Sequence, residues 1–241
     1  MPSDHGNGQG KAVAWVLGAG REPGRGLALT LARRGYRVAL HDFNPAGLEA
    51  TAQTLRRADY EVLPLSGELV RKITLQGLFN QIEDTWGRLD VIVYADEANP
   101  QADLLRLDEW DWHRALDMNL TVPWLLAQQA GRVMLQGGAV FFVGGDAPLR
   151  DAAANPGLPL LAGRGGLLAS LATWAEMLRP RRVWVNVLLP TAPRRSPWRE
   201  MAIFADQAWP DDPPRDLGEL LFRALNDART GQILALASRK E

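Results

Sequence analysis

The chain has 241 residues, with 27 Lys and Arg against 28 Asp and Glu and a formal net charge of −1. That length holds one large α/β domain with a full core, and the charge balance supplies no basic field to recruit nucleic acid. The lack of cysteine excludes disulfides and thiolate chemistry, and the 3 histidines are scattered, so no metal constellation exists.

Residues 1–11 read as a flexible N-terminal tail, polar and glycine-rich, ahead of a single domain over residues 12–241. The domain opens with AVAWVLGAGREPGRGLALTLARRGYRVALHD, from Ala12 to Asp42. An apolar run (Ala12–Leu17) ends in glycines at Gly18, Gly20 and Gly24. Leu27, Leu29, Leu31 and Ala32 then follow a helical spacing, Gly35 stops the helix, and Val38–Leu40 leads to Asp42. Strand, glycine turn, helix, strand and acid in that order form the pattern of a nucleotide-binding βαβ unit. A pyrophosphate approaches such a turn closely because free N–H groups and the helix dipole favour an anion there. An acid at the end of the second strand suits the two ribose hydroxyls of an adenosine. The plainer reading is a turn that needs glycine for its own sake.

Asn44 and Pro45 mark a helix start, as N-cap and first helical residue, and that helix runs to about Arg57. Tyr60–Leu65 is the third strand, followed by a Ser66-Gly67-Glu68 turn. Ile73–Trp86 is a one-sided helix ended by Gly87, and Leu89–Ala95 is the fourth strand. A polar loop, Asp96–Asp103, leads into a helical region reaching about Leu135. Ala139–Val143 is the fifth strand, Leu160–Leu178 a long helix and Arg182–Leu189 the sixth strand. The proline-rich segment 190–214 is too long for an ordinary connection and reads as a substrate-type loop. A short helix (Leu217–Leu225) and a last strand (Gln232–Leu236) close the chain. Strands alternating with helices imply a parallel sheet covered on both faces. No run is long and apolar enough to span a bilayer and the N-terminus lacks a signal-peptide core, so the expected location is cytoplasmic.

Over Ala12–Ala237 the chain resembles the short-chain dehydrogenase/reductase family. LGAGREPGRGLA (Leu17–Ala28) is similar to that family's T-G-x-x-x-G-x-G turn. GRLDVIVYA (Gly87–Ala95) resembles the strand that normally ends N-N-A-G, and WDWHRALDMNLTVPWLL (Trp110–Leu126) the helix that carries its asparagine, here Asn119. RVWVNVLLP (Arg182–Pro190) is similar to the strand leading to P-G, and TGQILAL (Thr230–Leu236) to the closing strand. The resemblance implies a single Rossmann-type, doubly wound domain with a seven-stranded parallel sheet. It also implies an oligomer: a homodimer or homotetramer, or a hetero-oligomer with an active relative.

The departures from the family bear on function. Its chemistry uses Ser, Tyr and Lys supported by Asn: the tyrosine moves a proton at the substrate oxygen and the lysine lowers its pKa. By the resemblance Gly144-Gly145 stand where the serine belongs, Leu160 at the tyrosine and Arg164 at the lysine. The only tyrosines are Tyr36, Tyr60 and Tyr94, so no Y-x-x-x-K exists after the fourth strand. Leucine has no proton to give, and arginine cannot be deprotonated. Asn119 is the one retained position of the four. The turn is altered too: Glu22 replaces its middle glycine and Pro23 follows, with Arg21 and Arg25 flanking the carboxylate. N-N-A-G reads Tyr94-Ala95-Asp96-Glu97.

Carried over by position, the cofactor-binding set is Gly18, Gly20, Arg21, Pro23, Gly24, Asp42, Phe43, Glu68, Leu69, Ala95 and Arg164. Asp42 favours NAD over NADP, because a 2′-phosphate would meet a carboxylate; the plainer reading is that Asp42 begins the turn into the next helix. Asn119 reads as a bridge between helix and strand backbone, and Arg164 as a solvated or ion-paired helix residue or as a ribose or phosphate ligand. Asp146 is the nearest alternative acid or base. Trp124 and Trp174 suit core or interface packing. The leading expectation is a protein of this fold that lacks the catalytic Ser, Tyr and Lys, binds NAD weakly or not at all, and serves as a nucleotide-binding or partner subunit. Two alternatives stand beside it. One is an NAD-dependent oxidoreductase with a different proton donor. The other is a small-ligand binder using Trp198, Met201, Phe204 and Trp209. No nucleic acid, membrane or metal is expected as a partner.

Overall fold

Val13–Leu17 (β1) lies mid-sheet, and its side chains alternate between two cores. Val13, Trp15 and Leu17 enter one, Ala14 and Val16 the other, and all five are fully buried. This alternation follows from the two-residue period of a strand, and burial on both faces explains why the run is continuously apolar. The computed structural model describes residues 10–144, 157–190 and 216–236. Six further strands join β1: Arg37–His41 (β2), Val62–Leu65 (β3), Val91–Tyr94 (β4), Gly138–Val143 (β5), Val183–Leu189 (β6) and Ile233–Ala235 (β7). All pairs are parallel, in the order β3-β2-β1-β4-β5-β6-β7.

Helices cover both faces. Gly24–Arg33 (α1), Pro45–Arg57 (α2) and Leu217–Asp227 (α7) bury Leu27, Leu31, Leu48, Leu55, Leu220 and Leu221 on one side. Lys72–Trp86 (α3), Val122–Val133 (α5) and Leu158–Leu178 (α6) bury Leu75, Phe79, Leu125, Leu126, Leu167 and Leu171 on the other. Each fully buried leucine contributes about 1.5–3 kcal/mol. The α2 start is as expected: Asn44 Oδ1 accepts from the Ala46 and Gly47 N–H groups at 3.0 and 3.2 Å, with Pro45 inside the first turn. Gly87, at φ 71°, ends α3 in the left-handed conformation that glycine permits.

Several boundaries differ from the sequence reading. The third, fourth and last strands are shorter than expected, and α6 begins at Leu158. The helical region before β5 is divided. Glu109–Leu116 (α4) and α5 are separated by a wide π turn, Asp117–Thr121. Pro123 lacks the N–H that a continuous ladder would use there. The tail over residues 1–9, Gly145, Asp146 and the four side chains of the ligand-binder alternative lie outside the described residues. So does the 190–214 segment after Pro190.

Strand order reverses at β1. The connection after β1 runs one way to β2, while β4 lies on its other flank. The two C-terminal ends part there and leave a crevice, the place where ligands bind in open parallel sheets.

Candidate nucleotide groove and active site

The crevice is bounded on one side by the turn between β1 and α1. Gly18 and Ala19 both donate to the His41 carbonyl, at 2.9 and 3.0 Å, which ties this turn to the end of β2. Its glycines are demanded by the chain itself. A Cβ on Gly24 would lie 2.1 Å from the Gly18 carbonyl oxygen. One on Gly18 would lie 2.8 Å from the Asp96 nitrogen, and one on Gly20 2.8 Å from Asp42 Cγ. The close approach that the sequence assigns to a phosphate is thus already made between backbone segments.

Asp42 follows β2 and is 9% exposed. Its Oδ2 accepts the Gly20 N–H at 2.7 Å and its Oδ1 the Asn44 N–H at 2.8 Å. Each carboxylate oxygen keeps a further acceptor position. Asp42, Phe43, Asn44 and Arg21 line a cavity of about 620 Å³. Its far wall is the Asp96–Gln101 loop, with Asp111, Arg114 and Met118 at its end. Asn99, Gln101, Asp111 and Arg114 were not legible as site residues, because nothing in their spacing marks them.

At the phosphate position the structure departs from a cofactor cradle. Glu22 turns back onto α1, and its Oε2 accepts the Gly26 N–H at 3.1 Å. Arg25 N–H donates to the Arg21 carbonyl at 2.8 Å, and Pro23 has no N–H. The flanking arginines do not neutralise Glu22 as the sequence suggested. Arg25 Nε reaches Thr51 Oγ1 at 3.2 Å, while Arg21 Nη2 crosses to Asp96 Oδ1 at 2.6 Å. Three more members of the expected cofactor set leave the groove. Glu68 pairs with Arg71 at 2.7 Å on the surface, Leu69 is fully buried in the core, and Ala95 packs in the opposite core.

The other end of the crevice lies beside the residues that the resemblance aligns with the family's chemistry. Leu160 is 1% exposed. Arg164 is ion-paired with Glu97, so the two departures from the family motif hold one another. Gly144 N–H donates to the Leu188 carbonyl at 2.7 Å, and a Cβ there would meet Leu189 Cδ2 at 2.6 Å. Asn119 sits on the π turn. Its Nδ2 donates to the Ala115 carbonyl at 2.8 Å, an acceptor that the wide turn leaves free, and to the Ala98 carbonyl at 2.7 Å. A void of about 30 Å³ remains among Tyr94, Asp96, Asn119, Gly144, Arg164 and Leu167. That is room enough for a water molecule.

Two titratable groups face this end. Tyr94 donates its hydroxyl to the Met118 carbonyl at 2.6 Å, and burial pushes its pKa well up. Asp96 touches both the large cavity and the small void. Burial raises its carboxyl above the usual range, against the opposing pull of Arg21, and its Oδ2 has no hydrogen-bond partner among the described residues. Asp96 is thus an acid at this end of the described structure; Asp146, the sequence's candidate, lies outside the described residues. The two successive acids where the family has alanine and glycine were the available signal. Among the described residues no group of three His, Cys, Asp or Glu is placed to hold a metal ion, and no helix is long and apolar enough to cross a membrane.

Comparison with known proteins places this geometry. Residues 18–207 match the family model described as enoyl-(acyl carrier protein) reductase. The human 3-oxoacyl-(acyl-carrier-protein) reductase is 31% identical over 181 residues, 74% of each chain. The (2S)-((R)-hydroxy(phenyl)methyl)succinyl-CoA dehydrogenase subunit BbsD of Thauera aromatica is 27% identical over 235 residues, 92% of this chain and 93% of its own. Among solved structures, a short-chain dehydrogenase/reductase from Burkholderia xenovorans superposes with TM-score 0.75 at 25% identity, covering 95% of both chains. A short chain dehydrogenase from Mycobacterium smegmatis superposes with TM-score 0.73 at 20% identity, covering 97% of this chain and 94% of its own. The matched family model, the reductase relatives and the seven-stranded parallel sheet agree: this chain belongs to the short-chain dehydrogenase/reductase family.

Proposed function

We propose that this chain is a short-chain dehydrogenase/reductase that has lost the family's carbonyl chemistry and acts as a nucleotide-binding or partner subunit. The family's members use NAD(P)(H) and are typically oligomeric. The observation that carries the reading is Leu160, a buried side chain without a proton, at the position of the catalytic tyrosine. Its surroundings offer no substitute tyrosine, since the Tyr94 hydroxyl is committed to the Met118 carbonyl. Arg164, bound to Glu97, does not supply a free ammonium, and Asn119 spends its amide protons on two carbonyls. Loss of the proton transfer alone costs about 10²–10⁴-fold in rate.

A role as a subunit is supported by one comparison: the relative that aligns over most of this chain is itself named as a subunit of a dehydrogenase. The partner is then a second copy of this chain or an active relative. A cytoplasmic location goes with this reading.

The test is steady-state assay of the purified chain with NADH and NADPH on 3-oxoacyl thioesters and simple ketones. Turnover should fall about 10²–10⁴-fold below that of an active family member in the same assay. Turnover within tenfold of that standard would overturn the reading. A second reading, an oxidoreductase with a different proton donor, is favoured by Asp96 and its unpartnered Oδ2. It predicts a rate that Asp96→Asn abolishes and that falls as pH rises through the elevated Asp96 pKa.

A further inference from the structure

We propose that Glu22 brings to the start of α1 the negative charge that a cofactor pyrophosphate would bring, so that the groove accepts an uncharged nucleoside and excludes its phosphates. The inference rests on the nucleotide-binding part of the reading above and narrows it to the nucleoside portion of the ligand.

The two ends of the cradle differ in what they offer a ligand. At the adenosine end the fit is sound. Asp42 is fixed by two N–H groups and retains acceptor positions toward a ribose diol. Phe43, 44% exposed, stands beside it at the cavity wall. At the phosphate end the fit fails. An anion at a helix N-terminus is held by free N–H groups and the dipole. Here Pro23 has none, the Arg25 N–H is taken by the Arg21 carbonyl, and the Gly26 N–H is taken by Glu22. A phosphate in that place would displace a carboxylate already bound and meet its charge.

The rest of the cavity points the same way. Its walls carry four carboxylates (Asp42, Asp96, Glu97, Asp111) against two guanidinium groups (Arg21, Arg114). Arg21, the cation nearest the turn, is held by Asp96. Asp96 is 6% exposed at the cavity wall, and its Oδ2, shut away from the cavity, has no hydrogen-bond partner among the described residues. Its carboxylate adds negative charge behind the wall that a phosphate would meet. The cavity volume of about 620 Å³ falls within the range of about 300–1,000 Å³ usual for small-molecule sites.

The test is calorimetric titration of the purified chain with adenosine, ADP and NADH, repeated on Glu22→Gln, Glu22→Gly and Asp42→Ala. Melting temperatures check that each variant is folded. Adenosine should bind at least about tenfold more tightly than ADP or NADH, and Asp42→Ala should weaken it. Glu22→Gln keeps a hydrogen-bonding side chain and removes the charge, and Glu22→Gly restores the family's turn. Each should narrow the gap between adenosine and ADP by roughly threefold to tenfold, the size of a helix-terminus charge effect. Wild-type binding of ADP or NADH as tight as adenosine would overturn the proposal. So would a gap unchanged in both Glu22 variants, or no binding of adenosine. Loss of carbonyl chemistry is judged separately by turnover, so a catalytically dead protein that binds NADH well would sink this inference alone.

Discussion

The two ends of the crevice have kept different things. At the β1–β2 end the glycine turn, the buried acid and the capped α2 of a nucleotide site are kept, although the Arg25 and Gly26 N–H groups at the start of α1 are already taken. At the β4–α6 end the backbone is also intact, while Leu160 is buried and Arg164 is paired with Glu97. The difference has a physical cause. The glycines and Asp42 satisfy backbone groups and close packing, so the fold needs them whether or not a ligand binds. A tyrosine hydroxyl and a lysine ammonium serve a substrate only. Leucine at 160 is accommodated because that side chain is buried, and arginine at 164 because Glu97 provides its counter-charge.

If this comparison holds, substitutions at the two ends fail in different ways. The largest effect should come from Leu160→Ala, which empties a buried position and should cost about 2–5 kcal/mol in urea unfolding while leaving nucleoside binding unchanged. A loss below 1 kcal/mol would mean that the position is not the packed site described. Gly24→Ala forces a Cβ toward the Gly18 carbonyl and should cost about 1–3 kcal/mol. Because the clash is within the chain, this loss should be equal with and without saturating adenosine. A loss seen only in the bound protein would restore the phosphate-cradle explanation of the glycine.

Asn119→Ala separates a structural asparagine from a chemical one. It leaves the Ala98 and Ala115 carbonyls short of a donor and should cost about 1–3 kcal/mol in stability. A stable Asn119→Ala protein would argue against the bridging role. Acid titration gives a smaller effect. Burial lowers the His41 pKa, so the native imidazole stays neutral while the unfolded one takes up a proton near its ordinary value of about 6.5. Stability should therefore fall as pH drops from 7 toward 5, and His41→Asn should flatten that slope. Asp96 acts with the opposite sign at lower pH, since its raised native pKa makes protonation favour the folded state there. The smallest effect belongs to Glu68→Ala. Its exposed pair with Arg71 lies away from the cavity, so stability should move by less than about 0.5 kcal/mol and adenosine affinity not at all. A measurable loss of affinity would return Glu68 to the groove.

The order of strands and helices, their parallel pairing and the family were legible from the sequence. Strand runs buried on both faces are continuously apolar, and the helices between them carry one apolar stripe. The absence of any Y-x-x-x-K after the fourth strand was legible too, because it is a matter of residue identity alone. The π turn was not, because it depends on the Asn119 amide taking a carbonyl of α4 beside Pro123, which has no N–H to offer the ladder. Nor were the pairings of charges. Sequence placed Arg21 and Arg25 beside Glu22, yet only the folded chain brings Asp96 within 2.6 Å of Arg21 and Glu97 against Arg164. Glu22 likewise found its partner on α1, one turn along its own chain. A charged side chain has several partners within reach of its sequence position, and the sheet decides among them by setting which strand ends lie side by side.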